Sequence, residues 1–213
     1  MLNIAVTALL TDRPLGGRDE LRFLRQWLRH PGRIGSVVPS GAALTSALAA
    51  AVPHDANGWV VELGAGTGSV TRALLAAGIA PQRLVALDSN AAFVDLLRER
   101  FPDIAVIAGD ACDLGAELRA AGIGPVTAVV SSLPLLSLGA RTRRAILSQI
   151  ADVLAPDGVL VQYTYGPVPP VPRSLAAELG LAGTRATWVL ANMPPAAVWR
   201  YRRNSETALS RAA

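Results

Sequence analysis

The chain has 213 residues, 51% of them hydrophobic, with 20 arginines, no lysine and 16 acids, for a net charge of +4. A chain of this size buries a core without staples, so one globular domain with a short appendage is expected. The single cysteine, Cys112, excludes an intramolecular disulfide and suits a reducing compartment.

Met1 to Leu10 is apolar, but it is too short to span a bilayer and lacks the basic region of a signal peptide. A cytoplasmic protein with peripheral membrane contacts only is therefore expected. Asp19 to His30 predicts a helix. Leu21, Phe23, Leu24, Trp27 and Leu28 share an arc of roughly 160° at about 100° per residue. Arg18, Arg22, Arg25, Gln26, Arg29 and His30 take the other side. Residues 13–33 hold six arginines against two acids, so the whole excess charge of +4 sits here. Such a helix suits an anionic membrane surface, nucleic acid, or packing on its own domain.

Gly and Pro mark a loop from Pro31 to Ser40, and Ser40 is placed to cap a helix running to about Ala51. Strands and helices then alternate. Trp59 to Leu63 reads as a strand, Val70 to Ala77 as a helix ended by Gly78, and Arg83 to Leu87 as a strand. Ala91 to Arg100 is a helix, Ile104 to Ala108 a strand, Leu114 to Ala121 a short helix and Val126 to Val130 a strand. Arg141 to Leu154 is a helix, Gly158 to Tyr165 a strand and Arg173 to Leu179 a helix. Thr184 to Leu190 and Val198 to Arg203 then form a hairpin around a Pro-Pro turn. Short apolar strands in βα units predict an α/β fold with a mostly parallel sheet covered on both faces, and the hairpin adds one reversed strand at its edge. The expected organisation is an N-terminal segment over 1–33, a domain over 34–205 and a tail over 206–213.

The strongest chemical signal is VVELGAGTGSV. A strand delivers Glu62, Gly64, Gly66 and Gly68 into a turn that opens a helix, where glycines let backbone approach a ligand closely. Dinucleotide sites use G-x-G-x-x-G. Here the spacing is G-x-G-x-G with Ser69 in the third glycine's place, which favours a nucleoside cofactor without a pyrophosphate. Asp88 ends the next strand, where a carboxylate accepts from both ribose hydroxyls, with Ser89 and Asn90 beside it. Asp110, in Gly109-Asp110-Ala111, ends the third strand and can accept from an adenine amino group. Any one such acid is commonly a turn former; three on successive strand ends around a glycine turn mark a ligand site.

This set resembles the class I S-adenosylmethionine-dependent methyltransferases. The resemblance implies a Rossmann-like seven-stranded sheet with a reversed terminal strand and S-adenosylmethionine as cofactor. It also implies that Gly64 to Gly68 line the methionine and ribose portion, that Asp88 holds the ribose, and that Asp110 and Ala111 hold the adenine. GSVVPS (Gly35 to Ser40), SSLPLL (Ser131 to Leu136), QYTYGP (Gln162 to Pro167) and NMPPA (Asn192 to Ala196) resemble, in order and spacing, the bacterial phospholipid N-methyltransferases. That resemblance brings Ser36, Ser40, Ser131 and Leu133 to the cofactor and implies an acceptor amine on phosphatidylethanolamine. Ala65 and Asp88 depart from its usual proline and glutamate.

An alkyl ammonium has a pKa of about 10, and only the neutral amine attacks a sulfonium methyl. An apolar site lowers that pKa, and the methylated products stay cationic, so aromatic faces should surround the nitrogen. Tyr163 and Tyr165, two apart on one strand, share a face and are the catalytic candidates. Pro134 and the backbone after Ser131 can orient the amine. Arg173 and Arg200 are both candidates for a phosphate, with nothing to rank them. With a lipid acceptor, Arg22, Arg25 and Arg29 would meet anionic phosphates while Phe23 and Trp27 insert. His30, His54 and Cys112 read as surface or filler residues, and no residue cluster has metal-ligand spacing. RNA adenine methyltransferases carry N-L-P-[YF] where this chain has Ser-Leu-Pro-Leu; Leu135 removes their stacking platform, so no nucleic acid partner is expected. A soluble small-amine methyltransferase and a catalytically silent binding module stay open, and the oligomeric state is unspecified.

Overall fold

The structure, a computed structural model, describes residues 39–53, 58–192 and 194–204. The Asp19 to His30 segment, the tail after residue 204, His30 and His54 lie outside the described residues. A seven-stranded sheet has the order β3-β2-β1-β4-β5-β7-β6. Its strands are β1 (Trp59–Leu63), β2 (Leu84–Asp88), β3 (Ala105–Ala108), β4 (Val126–Ser131), β5 (Leu154–Tyr165), β6 (Leu181–Val189) and β7 (Ala196–Arg203). The first five pair in parallel, and β7 runs antiparallel to both β5 and β6.

The described helices are α1 (Pro39–Ala50), α2 (Ser69–Ala76), α3 (Ala91–Arg100), α4 (Leu114–Ala120), α5 (Ala140–Val153) and α6 (Arg173–Glu178). The β-strands are nearly continuous apolar runs because both faces are covered. On one face Leu44 and Leu48 of α1 and Val70 and Leu74 of α2 pack against Val60, Ala128, Val161 and Val198. Leu97 of α3 extends this layer over Ala65 and Ala86. On the other face Leu114 and Leu118 of α4, Ile146, Leu147 and Ile150 of α5, and Leu175 of α6 cover Val61, Val85, Val129 and Leu160.

Several details differ from the sequence reading: β6 begins at Leu181 rather than Thr184, β7 at Ala196 rather than Val198, and α1 already at Pro39, so Ser40 lies inside its first turn instead of capping it. Strand β5 begins at Leu154, not Gly158. Leu154 pairs with Val126, and the chain bulges before Val159 pairs with Ala128. Asp157 makes that bulge at φ 61°, a conformation Asp tolerates better than most residues. The reversed strand β7 lies inside the sheet rather than at its edge. Seven successive residues of β6 are exposed while β7 has one exposed residue in eight, so the edge falls to β6. The hairpin turn leaves that order open; β7 wins the inner place because Ala196 and Val198 fill the layer under α1.

Candidate functional site

The carboxyl ends of β1, β2, β4 and β5 form one rim, the place where open α/β sheets bind ligands. The glycine turn rises from β1. Gly64 N–H donates to Leu87 O at 2.9 Å, and Ser132 N–H donates to Leu63 O at 2.9 Å, so the ends of β1, β2 and β4 are tied together. Gly64, Gly66 and Gly68 all have positive φ, but they serve different neighbours. A Cβ on Gly68 would lie 2.3 Å from Phe101, and one on Gly64 would lie 2.8 Å from Leu133. Only Gly66 of the three would direct a Cβ into open space, at φ 55°. Its missing side chain leaves room for a ligand; the other two glycines permit close internal packing.

Asp88 is 8% exposed. Its carboxylate accepts from Gly66 N–H and from Asn90 N–H, each at 2.8 Å, which locks the glycine turn to the end of β2. Ser89 and Asn90 are exposed beside it, and the Asn90 side chain caps α3 by accepting from Ala92 N–H at 3.0 Å. Asp110 is exposed and accepts from Cys112 N–H at 2.8 Å, while Ala111 is buried. Gly109 is held close to Glu117, whose carboxyl carbon a Cβ there would meet at 2.7 Å. Cys112 is half-buried at the edge of the core, with its thiol pushed up mainly by desolvation.

Glu62 is fully buried below this turn. Its Oε2 accepts from the Thr71 hydroxyl at 2.5 Å, and its Oε1 has no partner among the described residues. Burial raises its pKa to about 8; Thr71 opposes the shift and the Asp88 charge adds to it. An unpaired buried carboxyl oxygen beneath an open glycine cradle, with Asp88 at the adjoining strand end, fits a polar cationic nucleoside such as S-adenosylmethionine.

The acceptor side is built differently. Ser131 is buried, and its Oγ accepts from Leu133 N–H at 3.3 Å. Gln162, 1% exposed, stands opposite Ser131 in the sheet. Its Nε2 donates to Leu133 O and to Tyr163 O, both at 3.0 Å, and its Oε1 is buried without a partner among the described residues. One amide thus joins the turn after β4 to the tyrosine strand. The Tyr163 and Tyr165 rings meet edge to face at 5.6 Å between centroids. Burial raises both phenol pKa values, opposed in Tyr163 by a hydrogen bond from Tyr165 and in Tyr165 by one from Asn192. Both rings therefore stay protonated at neutral pH and offer lone pairs and ring faces, not a base. Asn192 is itself fixed by donating to Pro194 O at 2.7 Å.

A cleft of about 220 Å³ opens between these parts, lined by Leu133 to Ser137, by Tyr163 to Tyr165 and by Pro170. None of these residues is charged. Leu133 is the shared wall, touching the glycine turn at Gly64 on one side and the tyrosine cleft on the other. Arg173, exposed, begins α6 just beyond the end of β5. Arg200, half-buried, pairs with Val161, four residues back from Ala196 and so roughly 13 Å from that rim. Ser40 lies in the first turn of α1. Ser36, Arg22, Phe23, Arg25, Trp27 and Arg29 lie outside the described residues.

Gln162, Asn192 and Thr71 were not among the residues expected from the sequence. Gln162 had a signal, an amide inside the apolar run VLVQY. Thr71 had none, because its partner is set by how α2 lies over β1.

Residues 60–158 match a protein family described as a methyltransferase domain. The ornithine lipid N-methyltransferase of Singulisphaera acidiphila is 36% identical over 154 residues, which is 70% of this chain and 80% of that protein. The 1,6-didemethyltoxoflavin-N1-methyltransferase of Burkholderia thailandensis, solved with S-adenosylhomocysteine, superposes with a TM-score of 0.63 at 18% identity, over 92% of this chain and 94% of that one. The N-methyltransferase NodS of Bradyrhizobium japonicum, also in complex with S-adenosylhomocysteine, gives 0.60 at 16% identity over 85% and 97%. At such identities the two solved structures establish the fold.

Proposed function

Because this chain belongs to the class I S-adenosylmethionine-dependent methyltransferases, we propose that it N-methylates the head-group amine of a membrane lipid, with phosphatidylethanolamine as acceptor. The observation that carries this reading is the uncharged cleft walled by Leu133, Tyr163 and Tyr165 directly against the glycine turn. S-adenosylmethionine supplies an electrophilic methyl group on a sulfonium. Asp88 and the turn at Gly66 would hold it. With no charged residue lining it among the described residues, the cleft lowers an ammonium's pKa and so raises the fraction of neutral amine. The tyrosine faces accept the cationic product, and the amine proton leaves to water because both phenols are already protonated. Gln162 holds the Leu133 carbonyl and the Tyr163 backbone in one geometry, so acceptor and donor meet in register.

A second acceptor is favoured by the Singulisphaera relative, whose name is ornithine lipid N-methyltransferase. Among the described residues no arginine lines the cleft, so a lipid amine that carries no phosphate fits it as well. Among the described residues no helix is long and apolar enough to cross a membrane. We assign peripheral contact with an anionic bilayer, at the inner face of the cell membrane, to the helix predicted over Asp19 to His30, with each basic residue contributing about 1 kcal/mol near such a surface.

The test is methyl transfer from labelled S-adenosylmethionine to anionic vesicles carrying phosphatidylethanolamine, ornithine lipid or neither, followed by head-group separation. Label in mono-, di- or trimethylated phosphatidylethanolamine supports the first reading and counts its steps. Label only in ornithine lipid replaces the acceptor. Label in no lipid, with cofactor binding intact, rejects the lipid reading and directs the search to small amines and RNA.

A further inference from the structure

Among the described residues, the large apolar side chains that stay exposed are Leu136, Tyr165, Val168, Trp188 and Leu190. All lie at one place, the acceptor half of the ligand rim. Leu136 follows β4 and lines the cleft, Tyr165 ends β5, and Val168 lies in the turn after it. Tyr165, Ala196 and Val189 form one row across the sheet, so Trp188 and Leu190 flank the level of Tyr165. Leu190 is 76% exposed and Val168 57%. Scattered singly, such residues mean little; gathered on one rim they mark a contact surface.

Charge at the same rim points to what the surface meets. Helices α5 and α6 begin there, and neither has an acid in its first turn. They carry Arg141, Arg143, Arg144 and Arg173 instead, where the positive end of the helix dipole favours acids. Arg143 is partly held by Leu135 O and Arg144 by Glu178. Arg141 and Arg173 are exposed and make no ion pair among the described residues. On the edge strand Arg185 starts roughly 10 Å back from the rim, opposite Trp199, and its guanidinium lies 5.1 Å from the centre of the Trp188 ring, an apolar body beside a cation.

We propose that this rim is a membrane-docking surface separate from the N-terminal helix. Val168, Trp188 and Leu190 enter the boundary between head groups and acyl chains of an anionic bilayer, while Arg141, Arg173 and Arg185 meet its phosphates. The choice of a bilayer as occupant rests on the lipid-amine reading above. The cleft size supports it. At about 220 Å³ it is small beside the roughly 300–1,000 Å³ that encloses a drug-sized ligand. A head group enters and the acyl chains stay in the membrane, so the mouth must lie against the bilayer.

The experiment is co-sedimentation of the full chain with phosphatidylglycerol vesicles, comparing Trp188→Asp/Leu190→Asp, Val168→Asp and Arg141→Glu with wild type. Gln82→Asp, an exposed position at the opposite rim, is the control. Melting temperature and S-adenosylhomocysteine affinity verify that each variant is folded, and Leu190→Ser serves as a milder second variant. The double variant should lose about tenfold or more in vesicle partition, Arg141→Glu roughly fivefold, and the control less than about twofold. Parallel methyl transfer to short-chain aminolipid in monomeric solution separates the two ideas. Normal transfer in solution with loss on vesicles supports docking by this rim. Rim-dependent vesicle binding with no lipid methylated keeps the surface and removes the lipid-amine reading. Partition of the rim variants equal to wild type overturns the proposal. So does a dimer that these substitutions dissociate while vesicle binding is unchanged, since a second copy would then be the occupant.

Discussion

The two halves of the ligand rim are made by different means. On the cofactor side the working parts are backbone: a three-glycine turn, amides of Gly66 and Asn90 on one carboxylate, and strand ends tied by main-chain bonds. On the acceptor side they are side chains: Gln162 of β5 on the Leu133 loop, Tyr163 against Tyr165 along β5, and Asn192 of the β6–β7 turn against Tyr165. The first design holds a constant ligand with few residues, a glycine turn and the carboxylate at the end of the neighbouring strand. The second lets acceptor chemistry change without disturbing the first, because Leu133 is the side-chain wall they share among the described residues.

The sharpest way to break this comparison is Asp88→Ala. It releases two amides from a charged acceptor, and hydrogen bonds to charged groups contribute about 1.5–3 kcal/mol each. S-adenosylhomocysteine binding by calorimetry should weaken at least about 100-fold. Tyr163→Phe should leave that affinity within about twofold; an equal loss in both would show that the halves are not separable.

The buried Glu62 predicts a pH effect that originates in the cofactor half and is read in the stability of the whole fold. Its folded-state pKa of about 8 lies above the ordinary 4.5, so between these values the folded protein keeps a proton the unfolded chain has lost. Stability of the cofactor-free protein should fall as pH rises from 4.5 to 8, by on the order of a few kcal/mol, and level off above. Denaturant titrations of wild type and Glu62→Gln check this; the variant should show a flatter profile.

Gln162→Leu tests the acceptor half. Methyl transfer should drop about 10- to 100-fold through misplacement of the Leu133 loop, with S-adenosylhomocysteine affinity within about twofold. Steady-state kinetics beside calorimetry would expose a general folding defect as loss of both. The smallest effect is expected for Tyr201→Phe. The Tyr201 hydroxyl accepts from Val171 N–H at 3.3 Å, and burial lifts its pKa to about 12. Its loss should lower stability by about 1 kcal/mol, read from the denaturant midpoint, and leave cofactor binding unchanged.

These halves also differ in how much could be read beforehand. Helix α3 runs from Ala91 to Arg100 as its pattern predicts, because Asn90 caps it locally. The glycine turn was equally visible, since positive φ demands glycine wherever the chain goes next. Strand β5 was cut short at Gly158 because Pro156-Asp157-Gly158 is a turn by local rules, and only pairing of Leu154 with Val126 extends it. Gln162 stood in view without a role, because its partner lies 29 residues away on another strand's loop.

The sequence by itself determined the alternation of strands and helices, the parallel sheet and the cofactor turn, since each follows from the period of apolar residues and from glycine and capping positions a few residues apart. Tertiary structure decided the order β5-β7-β6, the reach of Gln162 to Leu133 and the gathering of Leu136, Val168, Trp188 and Leu190 on one rim. Those depend on which strands become neighbours, and neighbours are chosen by total burial over the sheet rather than by any local preference.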